Sequence, residues 1–140
     1  MQVHTRWILR STPRAQVESD GEIQVNRNWE TSDPVALATY VLWRINNIHP
    51  FINGNGRTAR AVCYFVLCLK AGGWLVGVKI LPELIRQNHQ EYVDALQIGH
   101  DTFNAGNLDL TTLHALVSRL LNQQLQSAQP AASAGTPSSP

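Results

Sequence analysis

The stretch "RTARAVCYFVLCLKAGG", residues 57–73, limits what this chain can become more than any other. At helical spacing Ala59, Val62, Phe65, Val66 and Leu69 point one way, while Ala61, Cys63, Tyr64, Leu67 and Cys68 fill the other faces. A helix apolar on nearly every side has to be surrounded, so it belongs at the centre of a bundle. It is expected to begin near Arg57 and to end at Gly72-Gly73, where glycine permits a left-handed cap.

Other helices to surround it can be read from the flanking sequence. Ser32 or Asp33 is an N-cap candidate and Pro34 suits a first turn. The stripe Leu37, Val41, Leu42, Ile45 and Ile48 follows, and the helix should stop before Pro50. A third helix is expected from about Pro82 to Ile98, with Leu84, Ile85, His89, Tyr92 and Leu96 in step. A fourth should start near Asp109 and carry Leu113, Leu116, Val117, Leu120 and Leu125. Towards the N-terminus, residues 6–10 and 22–25 alternate weakly around the turn signal "DG", which predicts a small hairpin. The expectation is a mainly α fold, a helical bundle with a small β-hairpin flap. One domain spans 1–126, with the flap at about 5–28 and the helical core at about 32–126. Residues 127–140, "SAQPAASAGTPSSP", read as a disordered Pro/Ala/Ser tail.

Composition narrows the function classes. The 140 residues are 44% apolar and 15% charged, enough for a modest core. A net charge of +1 and the lack of a Lys/Arg run argue against nucleic acid or a membrane surface as a partner held by bulk charge. No apolar run approaches the roughly 18 residues of a membrane span, and "MQVHTRWILR" lacks a secretory core. Cys63 and Cys68 sit five apart in one predicted helix, a spacing that suits reduced core thiols and a cytoplasmic protein.

The chemistry concentrates in "HPFINGNGRTAR", residues 49–60, between the first two helices. Gly54 and Gly56 bracket Asn55 and allow backbone angles that other residues resist. Successive amides just before a helix form an anion cradle, and the helix dipole adds to it. Arg57 and Arg60 lie on one face of the first turn, so two guanidinium forks stand beside that cradle. This describes a polyphosphate site, although no Walker sequence is present. A histidine is mostly neutral at pH 7, so His49 at the loop entrance can accept a proton from an attacking hydroxyl. Phe51 and Ile52 are expected to anchor the loop to the core. His4, His89, His100 and His114 share no metal-ligand spacing, and the four tryptophans are scattered in a way that packing explains.

The same twelve residues resemble the signature of the Fic family, His-Pro-Phe-x-Asp/Glu-Gly-Asn-Gly-Arg-x-x-Arg, at every fixed position but one. "PVALATYVLWRINNI" resembles the Fic helix before that motif, and "RQNHQEYVDAL" and "GNLDLTTLHALVSRLL" resemble the two helices after it. The likeness covers about residues 30–124, a minimal core, with the predicted hairpin in the place of the family's target-binding flap. It implies transfer of a nucleoside monophosphate, most often AMP from ATP, onto a Ser, Thr or Tyr hydroxyl of a target protein. By similarity His49 is the base, Gly54, Asn55 and Gly56 surround the α- and β-phosphates, Arg57 holds the β-phosphate and Arg60 the γ-phosphate. The departure is Asn53, which stands where the family has the Asp or Glu that binds Mg²⁺; the metal is expected to bind weakly there. Tyr92 is followed by Val93 where many relatives pair two tyrosines near the nucleobase, which leaves the base preference open. None of the glutamates at 18, 22, 30, 83 and 91 fits the family's inhibitory helix, so either no such inhibition exists or a separate antitoxin-like protein supplies it. The alternatives are a Fic-like module that holds a nucleotide without useful catalysis, which position 53 separates from the first reading, and transfer of another phosphate-containing group.

Overall fold

The computed structural model describes residues 32–128, which form five helices and, among the described residues, no strand. The flap at 5–28 and residues 129–140 of the tail lie outside them. Helix α1, Pro34–Ile48, starts as expected: the Asp33 carboxylate accepts from the Ala36 amide at 3.2 Å, and Pro34 fills the first turn. Helix α2, Asn55–Ala71, ends at Gly72 with φ 79°, a left-handed cap that closes on Cys68 and Leu69.

The expected third helix is two. Helix α3, Leu81–Gln87, and helix α4, His89–Asn104, meet at Asn88, whose φ of −104° and ψ of 42° leave the helical region. The Asn88 side-chain amide donates to the Leu84 carbonyl at 2.8 Å. A short polar side chain that competes with the backbone ladder in this way ends helices, and apolar periodicity across the break conceals it. His89, placed in the apolar stripe, is exposed at the new helix start. Helix α5, Thr111–Ser127, begins two residues past Asp109, whose carboxylate accepts from the Thr111 amide at 2.9 Å. Hydrogen bonds from Thr111 hold that carboxyl below its ordinary range.

Helices α1 and α2 make the most extensive pairing; α5 packs across α1, α3 and α4, and α3 leans on α2. The core between them is Leu42 and Trp43 from α1, Ala59, Cys63 and Leu67 from α2, Leu84 and Ile85 from α3, and Leu113, Val117 and Leu120 from α5. Helix α2 is less enclosed than its composition predicts. Ala61, Phe65 and Leu69 follow one another at i, i+4 spacing on a face that remains exposed, because the described neighbours cover its other sides. No helix among the described residues is long and apolar enough to cross a membrane.

Two polar or small residues fix how the layers meet. Gln124, fully buried on α5, accepts from the Leu81 amide at 2.6 Å and donates to the Tyr64 hydroxyl and the Val76 carbonyl, both at 3.1 Å. Every hydrogen-bonding need of the buried amide is met, which ties the connection before α3 to α5. Gly99 lets α4 approach α1: a Cβ there would stand 2.6 Å from Trp43 Cδ1 and 3.0 Å from a Leu110 methyl. Trp43 has no room to yield, as it is fully buried against the Phe103 ring at 5.2 Å. Gly99→Ala is therefore expected to lower stability by about 1–3 kcal/mol, read from urea unfolding, despite alanine's better helix propensity. An unchanged midpoint would mean that α4 does not ride this close on Trp43.

Candidate functional site at the α1–α2 junction

His49 caps α1 and turns the chain out of it. Its amide donates to the Ile45 carbonyl at 2.9 Å, and its backbone sits at φ 52°, ψ 58°. Among the described residues it is the one non-glycine residue with positive φ. The left-handed region costs an L-residue roughly 1–2 kcal/mol, and such outliers gather where the conformation serves a site. The turn leaves His49 exposed, with Pro50 next to it preventing any continuation of the helix.

The loop that follows is held from below by an asparagine. Asn55, 4% exposed, accepts from the Phe51 amide at 2.9 Å through Oδ1 and donates to the Phe51 carbonyl at 2.7 Å through Nδ2. This pair closes the turn between His49 and α2. It also corrects the expected anchor: Phe51 and Ile52 are 51% and 96% exposed and do not enter the core. A buried side chain with two complementary hydrogen bonds to one residue fixes the backbone better than apolar contact at a loop tip would.

Gly54 is the N-cap of α2, at φ 81°, and its carbonyl accepts from the Thr58 amide at 2.9 Å. Among the described residues no side chain caps this end, and no acidic residue lies in the first turn. The leading amides are therefore left for a ligand, with the positive end of the helix dipole behind them. Space around Gly54 is open: a Cβ built there meets nothing within 4 Å. Gly56 is tighter, since its Cβ would lie 3.2 Å from Arg60 Nη1. Arg60 thus folds back along the first turn of α2, while Arg57 is exposed. His49, Asn53, Gly54, Gly56, Arg57 and Arg60 thus all lie on the α1–α2 turn or the first turns of α2. The side chain of Asn55 is used in holding the loop, so only its backbone is available to a ligand.

Two residues of this site do not belong to the motif. Asn46, on the last turn of α1, donates through Nδ2 to the Leu42 carbonyl at 2.8 Å and to the Tyr92 hydroxyl at 2.9 Å. Its Oδ1 stands 4.0 Å from the position of a Gly56 Cβ. Tyr92, 3% exposed on α4, has its phenol pushed above the ordinary range by burial, against the smaller opposing effects of Asn46 and Arg60. One signal for Asn46 was present in the sequence: it falls one turn after Leu42, on the apolar stripe, where a polar residue needs a reason.

Elsewhere the described chain offers little chemistry. Burial pushes the Cys63 thiol up to about 12, which keeps it protonated and inert. Among the described residues no group of three or more His, Cys, Asp or Glu side chains could hold a metal ion.

Residues 8–67 match the Fic/DOC family, a segment that includes all of the loop and most of α2. A Fido domain-containing protein of Dictyostelium discoideum is 30% identical over 98 residues, which cover 65% of this chain and 64% of the relative. The chain thus spans just under two thirds of the length of that curated relative. No solved structure matches significantly. The loop, its uncapped helix and the two sequence matches agree in one respect: over this segment the chain is similar to Fic/Fido proteins.

Proposed function

We propose that this protein is a nucleotidyltransferase that moves AMP from ATP onto a Ser, Thr or Tyr hydroxyl of a target protein. One observation carries the reading: an exposed histidine in a left-handed turn beside an uncapped helix N-terminus that also holds two arginines. The amides of Asn55 and Gly56 and the guanidinium groups of Arg57 and Arg60 hold the phosphates. The target hydroxyl oxygen then attacks the α-phosphorus, its proton passes to the His49 imidazole, and the bond to pyrophosphate breaks. Such transfers depend on positioning and on neutralising the leaving charge, which rigid amides and guanidinium groups provide. The target would dock through the 5–28 segment, any inhibition would come from a separate antitoxin-like protein, and the reaction would run in the cytoplasm.

A resident Mg²⁺ does not fit the donors present. Asn53 offers one exposed amide oxygen without charge, and neither the first turn of α2 nor any described acidic cluster supplies a carboxylate. Magnesium is a hard, strongly hydrated ion that ordinarily takes one or two carboxylates beside phosphate oxygens. Any Mg²⁺ in the reaction would therefore be held chiefly by the ATP phosphates with Asn53 as a weak ligand, and Asn53 is also the observation that favours the second reading, a nucleotide-holding module. Asn53→Asp is expected to lower the Mg²⁺ concentration for half-maximal labelling by about tenfold, equivalent to about 1.4 kcal/mol. Identical magnesium curves for the two forms would count against this account of position 53. The reading itself is tested by incubating the protein with α-labelled ATP and cell lysate: label should appear on a protein other than ATP-binding contaminants, and nucleotide binding without any label would leave the module.

A further inference from the structure

We infer that Asn46 and Tyr92 are positioning residues, a latch from α1 and α4 that sets the Arg60 guanidinium under the first turn of α2 and so selects ligands carrying more than one phosphate. This rests on the nucleotide-binding reading above. Arginine has a long side chain with much rotamer freedom, and a guanidinium that must be ordered by the ligand itself binds it less tightly. Arg60 is already placed. Its Nη1 lies against Gly56, within 3.2 Å of where a Cβ would stand, and on the same spot converges the Asn46 Oδ1 at 4.0 Å. The Asn46 amide uses both of its hydrogens, one on the Leu42 carbonyl of its own helix and one on the Tyr92 hydroxyl. Its remaining oxygen is therefore turned towards the α2 terminus. The Tyr92 hydroxyl, almost fully buried, accepts from Asn46 and lies near enough to Arg60 for the guanidinium to favour its ionised form. A phenol oxygen has two acceptor sites, so beside the Asn46 amide one remains for the guanidinium.

Residues of three helices thus stand around the start of α2, and the charged member is the one nearest the phosphate cradle. Glycine at 56 belongs to the same arrangement, since any larger residue would push the guanidinium out of its place. The neighbouring Arg57 is exposed and, among the described residues, has no comparable support. The latch therefore acts on one of the two arginines and not on the amides, which Asn55 holds independently.

The test compares ATP, inorganic pyrophosphate and AMP by titration calorimetry on the full chain and on Asn46→Ala, Asn46→Asp, Tyr92→Phe and Arg60→Ala. Loss of the latch should weaken ATP and pyrophosphate about tenfold and leave AMP within about twofold, so the preference for ATP over AMP shrinks. Asn46→Asp should do most, because its carboxylate would pair with Arg60 and cancel the charge offered to the ligand. Adding Asn46→Ala to Arg60→Ala should cause no further loss, since both remove one interaction. Equal weakening of all three ligands, or additive losses in the double variant, would overturn the latch and leave a structural role. If the unaltered chain takes up none of the three ligands, the functional reading fails by itself. The latch is then judged on the Arg60 Nε–H resonance, assigned with Arg60→Lys. It should be single and sharp in the parent and broadened in Tyr92→Phe, and an unchanged signal would refute it.

Discussion

His49→Ala is expected to lower transfer from ATP by about 10²- to 10⁴-fold while ATP affinity stays within about twofold. The imidazole is exposed and, among the described residues, makes no hydrogen bond that holds the fold, so its removal should take away the proton acceptor and little else. The companion variant His49→Gly sharpens the result. At φ 52° a glycine needs no left-handed strain, so this protein should be no less stable than the parent and yet equally inactive. An inactive protein that unfolds later than the active one is hard to explain as damage. The measurement is initial rate of label transfer beside a thermal melt of each variant. Retained transfer in either would remove His49 from the chemistry.

The second large effect falls on a residue that does not touch the reacting atoms. Asn55→Ala takes away both hydrogen bonds to Phe51 and opens the turn between the histidine and the helix end. Each such bond is worth about 0.5–1.5 kcal/mol to stability, and leaving the Phe51 groups without a partner adds to that. Transfer should fall further than stability, by about 10²-fold, because a displacement of roughly 1 Å between a base and the phosphate it serves costs about that much. Asn55→Asp is the informative control. Its carboxylate can still accept from the Phe51 amide but cannot donate to the carbonyl, and it places a negative charge at the mouth of an anion site. It should therefore lose ATP affinity, whereas Asn55→Ala should chiefly lose rate. Equal effects of the two on binding and rate would indicate that the loop position, and not the cradle charge, is all that Asn55 controls.

How much of this could be read from the chain alone depended on the range of the interaction involved. Asp33, Pro34, Gly72 and the proline at 50 act on their immediate neighbours, and the helix ends they announce appear where local physics puts them. The break at Asn88 escaped because the apolar stripe keeps helical phase across it, while the carbonyl competition that causes it involves a residue with no special sequence context. Phe51 and Ile52 were misplaced for a different reason: apolar character says what a residue can bury, not what a short loop can reach, and exposed apolar side chains are ordinary. Helix α2 shows the same limit on a larger scale, since Phe65 and Leu69 are as apolar as the buried residues beside them.

The site divides along the same line. His49, Gly54, Gly56, Arg57 and Arg60 lie within twelve residues of one another, so the pattern behind the proposed phosphate cradle and base is legible in the sequence. Asn46 and Tyr92 are separated by 46 positions and meet only once α1 and α4 have packed. Gly99 and Gln124 belong to the same class: their importance comes from Trp43 and Leu81, which no local window contains. Long-range pairs decide how sharply the motif is aimed, and a motif by itself does not display them.

The central claim is that the amides opening α2 receive the phosphates of a nucleotide next to His49. An ¹⁵N amide titration of the full chain with ATP reads this directly. The account predicts saturable shifts that are largest at Gly54, Asn55, Gly56 and Arg57, smaller at His49, and absent at the far end of α5. Shifts that centre on another part of the chain, or none up to millimolar ATP, would contradict it.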